Sequence, residues 1–198
     1  MQTNNGRPQS FVPKVSGSIH DVANKNEVII MNFRLANVND LEFLKEMYEK
    51  IIDNMYKNDI KIWNEFYPFE VIKEDVEGNN FYVLENDKEI IASCALCNSN
   101  SGENEMPWVE NTKDVFYIDR LGVNTDYIRQ GIGSKLINEV KSFAKKEDKK
   151  YIRLFVVDSN LPAINLYVKN GFEKVDGIYE EVINEECTLI EYGFELKI

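Results

Sequence analysis

Gly131 and Gly133 stand one residue apart in YIRQGIGSKLI, residues 127–137, with Arg129 just ahead and an apolar helical pattern behind. Residues of these types in that order could hold an anion. Glycine lets a bulky group approach the backbone closely. Amide hydrogens at a helix start point outward, and the helix dipole favours negative charge there. Arg129 would add charge. The spacing is not that of a Walker A loop, which needs four residues between its glycines and a following Lys-Ser/Thr. The third glycine of the dinucleotide-binding fingerprint is also missing. Taken alone, the loop is equally an ordinary strand-to-helix turn.

Few other residues offer chemistry by type. The single histidine, His20, lies in the N-terminal tail, which removes most Ser-His-Asp, Cys-His and zinc-enzyme schemes, so no metal is expected. Cys94 and Cys97 form a C-x-x-C within IIASCALC, but this reads as a strand. An odd separation there sends the two side chains to opposite faces, and no helix follows to lower a thiol pKa. Both read as packing residues. Three cysteines, an odd number, argue against a disulfide scaffold and fit a reducing cytoplasm.

The elements that must position the loop follow from pattern. The chain has 198 residues, 43% hydrophobic, enough for one core and one domain over 29–198. Residues 1–28 are polar, lack the apolar run of a signal peptide, and read as a flexible tail, a leader, or an extension ahead of a start at Met31. A net charge of -11 repels phosphate backbones, so nucleic acid is not expected as a partner, and cationic small molecules are favoured. No apolar run has the length of a membrane span. IIMNFRLA predicts a first strand, and residues 37–57 a helix with Asn39 and Glu42 resembling a capping box. NFYVLE and EIIASCALC predict a hairpin through NDK. Residues 98–113 form a long polar loop containing Trp108. DVFYIDRLGVN predicts a strand feeding the glycine loop and its helix. KYIRLFVV reads as a buried central strand. LPAINLYVKNG predicts a short helix with Pro162 in its first turn and Gly171 as its stop. FEKVDGIY and CTLIEYGFELKI predict two last strands. A mixed α/β sheet is expected.

With DSNLPAINLYVKNGFEKV, some thirty residues past the loop, the chain resembles the GNAT superfamily of N-acetyltransferases. Four pieces in order carry the resemblance: YIDRLGV, YIRQGIGSKLI, YIRLFVV, and N-x-x-A-x-x-LY-x-x-x-GF from Asn160 to Phe172. It covers most of Met31 to Ile198. WNEFYPFEVIKEDV also resembles a poorly characterised subgroup with a W-x-x-x-YP segment. The resemblance implies a mostly antiparallel, twisted sheet whose central parallel pair splays to hold acetyl-CoA, flanked by helices. Main-chain groups at Leu121, Gly122 and Val123 would line the pantetheine arm. Backbone N–H groups through Ile128, Arg129, Gln130, Gly131, Gly133 and Ser134 would hold the pyrophosphate. The family usually has Gln or Arg where Ile128 stands, which removes a side-chain contact but keeps the N–H. Asn160 and Ala163 match cofactor-contacting positions.

Tyr167 matches the family's frequent general acid, which protonates the departing thiolate. Asp119 is a candidate general base, placed by period two on one strand face with Tyr117 and Leu121 and with Arg120 turned to the other. Glu65 is a second candidate. Trp63, Tyr67, Tyr117 and Trp108 read as walls of an acceptor pocket. The implied reaction is direct acetyl transfer to a primary amine of a small molecule or peptide. A non-catalytic acyl-CoA-binding sensor or interaction module would share the fold and the loop, and a nucleotide-binding transferase could share the loop. A homodimer through the late strands stays open.

Overall fold

A computed structural model describes residues 31–184 and 187–198. The expected tail over 1–28, with His20, lies outside the described residues. The elements are β1 (Met31–Leu35), α1 (Leu41–Lys57), α2 (Phe69–Glu77), β2 (Phe81–Asn86), β3 (Glu89–Cys97), β4 (Val115–Val123), α3 (Ile132–Lys146), β5 (Tyr151–Val157), α4 (Leu161–Lys169), β6 (Glu173–Lys174), β7 (Tyr179–Asn184) and β8 (Cys187–Lys197). The strands form one sheet in the order β1-β2-β3-β4-β5-β8-β6, with β7 also on β8. Every pairing is antiparallel except β4 with β5. The expected mixed sheet with a parallel central pair is the one observed.

Helices cover both faces. Leu136, Ile137, Val140 and Ala144 of α3 recur at helical spacing and are fully buried, packing with Cys94, Ile118, Leu154 and Tyr167 on one face. Leu44, Met47, Tyr48 and Ile51 of α1, with Ile72 and Val76 of α2, pack on Phe81, Val83 and Ala95 on the other. Strand alternation separates the two cysteines as expected: Cys94 joins the α3 face and Cys97 the opposite one. The β2–β3 hairpin turns through Asp87 and Lys88, both at positive φ (48° and 71°), as a tight two-residue turn requires.

Three local features differ from expectation. The capping box is formed by Asn37 and Asp40, not Asn39 and Glu42. Asp40 is held there by two bonds from the Arg34 guanidinium, 2.8 and 2.9 Å long, so a short 3-10 turn precedes α1. Of FEKVDGIY only Glu173, Lys174 and Tyr179 pair, since Gly177, at φ 96°, interrupts the run, and β7 starts at that tyrosine and continues to Asn184, past the expected strand. Finally, β4 bulges. Ala95 pairs with Asp119 and Ser93 with Gly122, so Arg120 and Leu121 together face Cys94. Arg120 sits at φ 51°. This breaks the alternation that would have sent its side chain to the far face. Its guanidinium instead bonds Asp75 of α2 at 2.6 Å and lies 3.9 Å from the Cys97 sulfur, on the same side as Asp119.

The bulge is supported from α1. The buried Tyr48 hydroxyl donates to the Arg120 carbonyl and accepts from Ser93 at 3.1 Å. Gly122 lies flat against it: a Cβ there would stand 2.9 Å from the Tyr48 ring and 3.0 Å from Ile51. Gly122→Ala should therefore destabilise the fold by about 1–3 kcal/mol through overpacking, read as a lower midpoint in chemical denaturation.

Candidate active site

The parallel ladder between β4 and β5 is short. It runs from Val115 with Tyr151 to Tyr117 with Arg153 and stops, although β4 continues to Val123 and β5 to Val157. Beyond Tyr117 the two strands part, and their facing edges are left with peptide groups that no neighbouring strand satisfies. A peptide group seeks a partner, so this opening offers main-chain donors and acceptors to whatever enters it. A cleft of about 990 Å³ occupies it.

At one end of the cleft lies the glycine loop. Gly131 adopts φ 78°, caps α3 without any side-chain cap, and has nothing within 4 Å of where a Cβ would be. Tyr127 and Ile128 donate back to Asn124 and Thr125, and Lys135 begins the helical ladder onto Gly131. Among the described residues, none of the N–H groups from Arg129 to Ser134 finds an acceptor in standard geometry. Amide hydrogens left free in this way at a helix start, beside an open glycine, form an anion cradle. The Gln130 side chain turns back to the Asp126 carbonyl at 3.2 Å, so that residue offers only its backbone. Gly133 lets α3 start close against α4, since a Cβ would meet Leu166 at 2.9 Å.

Asn160 and Ala163 line the same cleft, and the Asn160 side-chain oxygen caps α4 on the Ala163 N–H at 3.3 Å. Tyr167, one helical turn further, is 6% exposed. Burial raises its hydroxyl pKa, and the negative charge of Asp119 adds to the rise. Its oxygen has no hydrogen-bond partner among the described residues. Every fully enclosed side-chain nitrogen or oxygen there does have one. The Tyr167 hydroxyl therefore opens onto the cleft it lines.

Across the cleft sit the acids. Asp119 lies just past the last β4–β5 pair and accepts from Asn100 at 3.2 Å. Burial raises its pKa, opposed by the Arg120 charge. Glu181 of β7 and Glu191 of β8 line the same region. Burial raises both, and Glu191 is pushed up to about 8 by burial and by the charges of Glu181 and Asp119. Sequence reading passed over both glutamates. The only available signal was the period-two placement of Glu191 with Leu189 on the last strand; Glu181 lies outside the expected strands, and the register that brings it alongside is not given by the sequence.

Of the other expected site residues, Leu121, Gly122, Val123, Ile128, Arg129, Ser134, Trp63 and Tyr67 all border the cleft. Glu65 is exposed and does not line it. Tyr117 is buried with Val115 and Tyr151, because it belongs to the closed part of the strand pair. Trp108 packs edge-on against Tyr117 and Phe155 and under the Arg153 guanidinium, also outside the cleft. The long loop that carries it reaches the site through Asn100 instead.

The acetyltransferase (GNAT) family profile matches residues 44–172. An uncharacterized N-acetyltransferase of Methanocaldococcus jannaschii, MJ1207, is 30% identical over 154 residues, which cover 74% of this chain and 63% of that protein. The chain thus spans less than two thirds of that relative's length. An acetyltransferase of the GNAT family from Listeria monocytogenes superposes with a TM-score of 0.66 at 13% identity, over 85% of this chain and 95% of its own. The ribosomal-protein-S18-alanine N-acetyltransferase of Escherichia coli superposes at 0.60 and 17%, over 85% and 94%. The yncA protein of Salmonella typhimurium, solved with its cofactor acetyl-CoA, gives 0.60 and 16%, over 84% and 93%. At these identities the structural likeness speaks for the fold. Among the described residues no helix is long and apolar enough to cross a membrane.

A carboxyl raised to about 8 binds its proton more tightly in the folded chain than in the unfolded one. Its contribution to stability is full below the ordinary carboxylate range and is lost as pH rises through about 8. Glu191→Gln cannot ionise, so it should melt at higher temperature than the wild type above pH about 8. That advantage should vanish toward pH about 4, where an unfolded-state glutamate is itself half protonated. Thermal unfolding across pH measures both.

Proposed function

Because the chain belongs to the acetyltransferase (GNAT) family, we propose that it is an acetyl-CoA-dependent N-acetyltransferase acting on a primary amine by direct attack. The observation that carries this reading is the alignment of three features along one cleft: bare amide hydrogens at Gly131, an unpaired β4 edge, and the open hydroxyl of Tyr167. Acetyl-CoA would supply an activated acetyl thioester and a thiolate leaving group. The cradle fits its diphosphate, since the space before Gly131 is open and its N–H groups lack partners. The N–H groups from Arg129 to Ser134 would hold that diphosphate, and the main chain of Leu121, Gly122 and Val123 the arm beyond it.

The chain's own groups then divide the proton work. An amine is protonated at neutral pH and cannot attack until it is not. Asp119 Oδ takes that proton. Burial and the Asn100 bond hold the carboxylate at the splay, and its raised pKa brings it nearer to the working pH. Tyr167 keeps its phenolic proton, as its raised pKa ensures, and delivers it to the departing sulfur. Backbone N–H groups at the bulge would polarise the carbonyl under attack. Glu65, exposed to solvent, has no part in this scheme. An acyl-CoA sensor would have the cradle but no need for an unpartnered tyrosine in the same cleft as a half-buried carboxylate.

Tyr167→Phe should lower the rate of CoA release with an amine by about 10²-fold or more, while acetyl-CoA affinity by calorimetry changes far less. An unchanged rate would remove the acid role. Gly131→Val fills the space before the cradle and strains φ 78°. It should weaken acetyl-CoA binding at least about tenfold, since L side chains resist that conformation.

A further inference from the structure

Of the basic residues that line the cleft, Arg129 and Lys169 belong to the phosphate end, where Asn170, next to Lys169, bonds Ser134 at 3.0 Å, and Arg120 stands at the other end. The acids of the cleft, Asp119, Glu181 and Glu191, also gather at that other end. None of these three forms an ion pair among the described residues. The charge of Arg120 reaches Asp119 and Glu181, but that guanidinium is already bonded to Asp75 at 2.6 Å.

The two glutamates lie on one face by register. Glu181 pairs with Leu189, two residues before Glu191, which makes them diagonal neighbours within side-chain reach. Like charges so placed repel, and burial makes the repulsion worse. A cation seated between them would relieve both costs. The nearly buried Tyr167 hydroxyl, unpartnered and near enough to Asp119 to feel its charge, opens onto the same cleft from the opposite side, so the cleft takes a polar ligand between them.

Resting on the transferase reading above, we propose that the acceptor is a diamine or polyamine, whose reacting nitrogen meets Asp119 while a second ammonium is seated by Glu181 and Glu191. Geometry sets the span. Glu191 pairs with Val157 of β5, and β5 is the strand next to β4. Asp119 and Glu191 are therefore at least two strand spacings apart, on the order of 10 Å between backbones, and the parting of β4 from β5 widens that gap. Side chains leaning inward shorten it to a span that an extended diamine or polyamine can bridge. A monoamine would leave the half-buried pair without a counter-charge, and Glu191 would then keep its proton. A second ammonium would supply that counter-charge through two charge-assisted bonds.

The test is steady-state CoA release by the full chain with acetyl-CoA and four acceptors: butylamine, putrescine, spermidine and a short peptide with N-terminal lysine. The expected result is a kcat/KM for putrescine or spermidine at least about tenfold above butylamine, carried mainly by KM, since uniform binding is being added. In Glu181→Gln that ratio should fall to within about threefold of unity. Glu191→Gln should do the same, giving a second variant if one folds poorly. Calorimetry of spermidine with CoA-bound protein should give heat that Glu181→Gln loses. A ratio near one in the wild type, or a ratio that neither variant moves, overturns the proposal and leaves the transferase standing. Preference for the lysyl peptide over spermidine also overturns it, in favour of a polypeptide acceptor. CoA release with none of the four, despite heat from acetyl-CoA binding, removes both readings.

Discussion

The separation of β4 from β5 after Tyr117 and Arg153 is the constraint on which the rest depends. A parallel pair in mid-sheet would ordinarily continue to the strand ends, closing the space in which everything else happens. Here the bulge at Arg120 turns β4 aside, and three contacts hold the turn: Tyr48 on the Arg120 carbonyl, Asp75 on its guanidinium, and Gly122 flat against Tyr48. All three come from the α1–α2 side. Below the split the pair is fastened instead. Arg153 meets Glu195 at 2.7 Å in the buried interior and also bonds the Glu110 carbonyl. The opening thus has a fixed apex, with one strand anchored beneath it and the other pulled away above.

The split gives the cleft two sources of groups. From the α3–α4 side come the amide cradle, Asn160 and Tyr167. From the α1–α2 side and the late strands come Asp119, Glu181, Glu191, Trp63 and Tyr67. An anionic molecule and a cationic one can therefore approach from opposite faces and meet at the split. The chain's net charge of -11 would oppose an anion at long range. The cradle overcomes that locally with N–H groups and a helix terminus rather than with many basic side chains, which keeps the acidic end unpaired.

Much of this was readable from residues alone, and the rest was not for definite reasons. The glycine loop, the α3 stripe and the buried β5 run have local signatures, and their elements appear where pattern placed them. The hairpin turn at Asp87–Lys88 was also marked by composition. What sequence could not supply was register. Period-two counting sent Arg120 to the wrong face because a bulge adds one residue without any flag in the sequence. The same counting put Tyr117 in the acceptor pocket, because nothing in FYIDRLGV says where pairing with a distant strand will end. Trp108 and Glu65 were chosen for their type, while Asn100, Glu181 and Glu191 owe their positions to strand pairings between residues far apart in the chain.

β7 touches the sheet through β8 alone among the described residues, whereas the strands that flank the split are held on both sides. Glu181 therefore rides on a peripheral strand of the sheet, and Asp119 on one of the most central. Substitutions along β7 disturb one ladder and leave the cradle, the bulge and the tyrosine untouched. Within such a scaffold, the choice of acceptor can drift over evolutionary time at small cost to folding while the donor half stays constant.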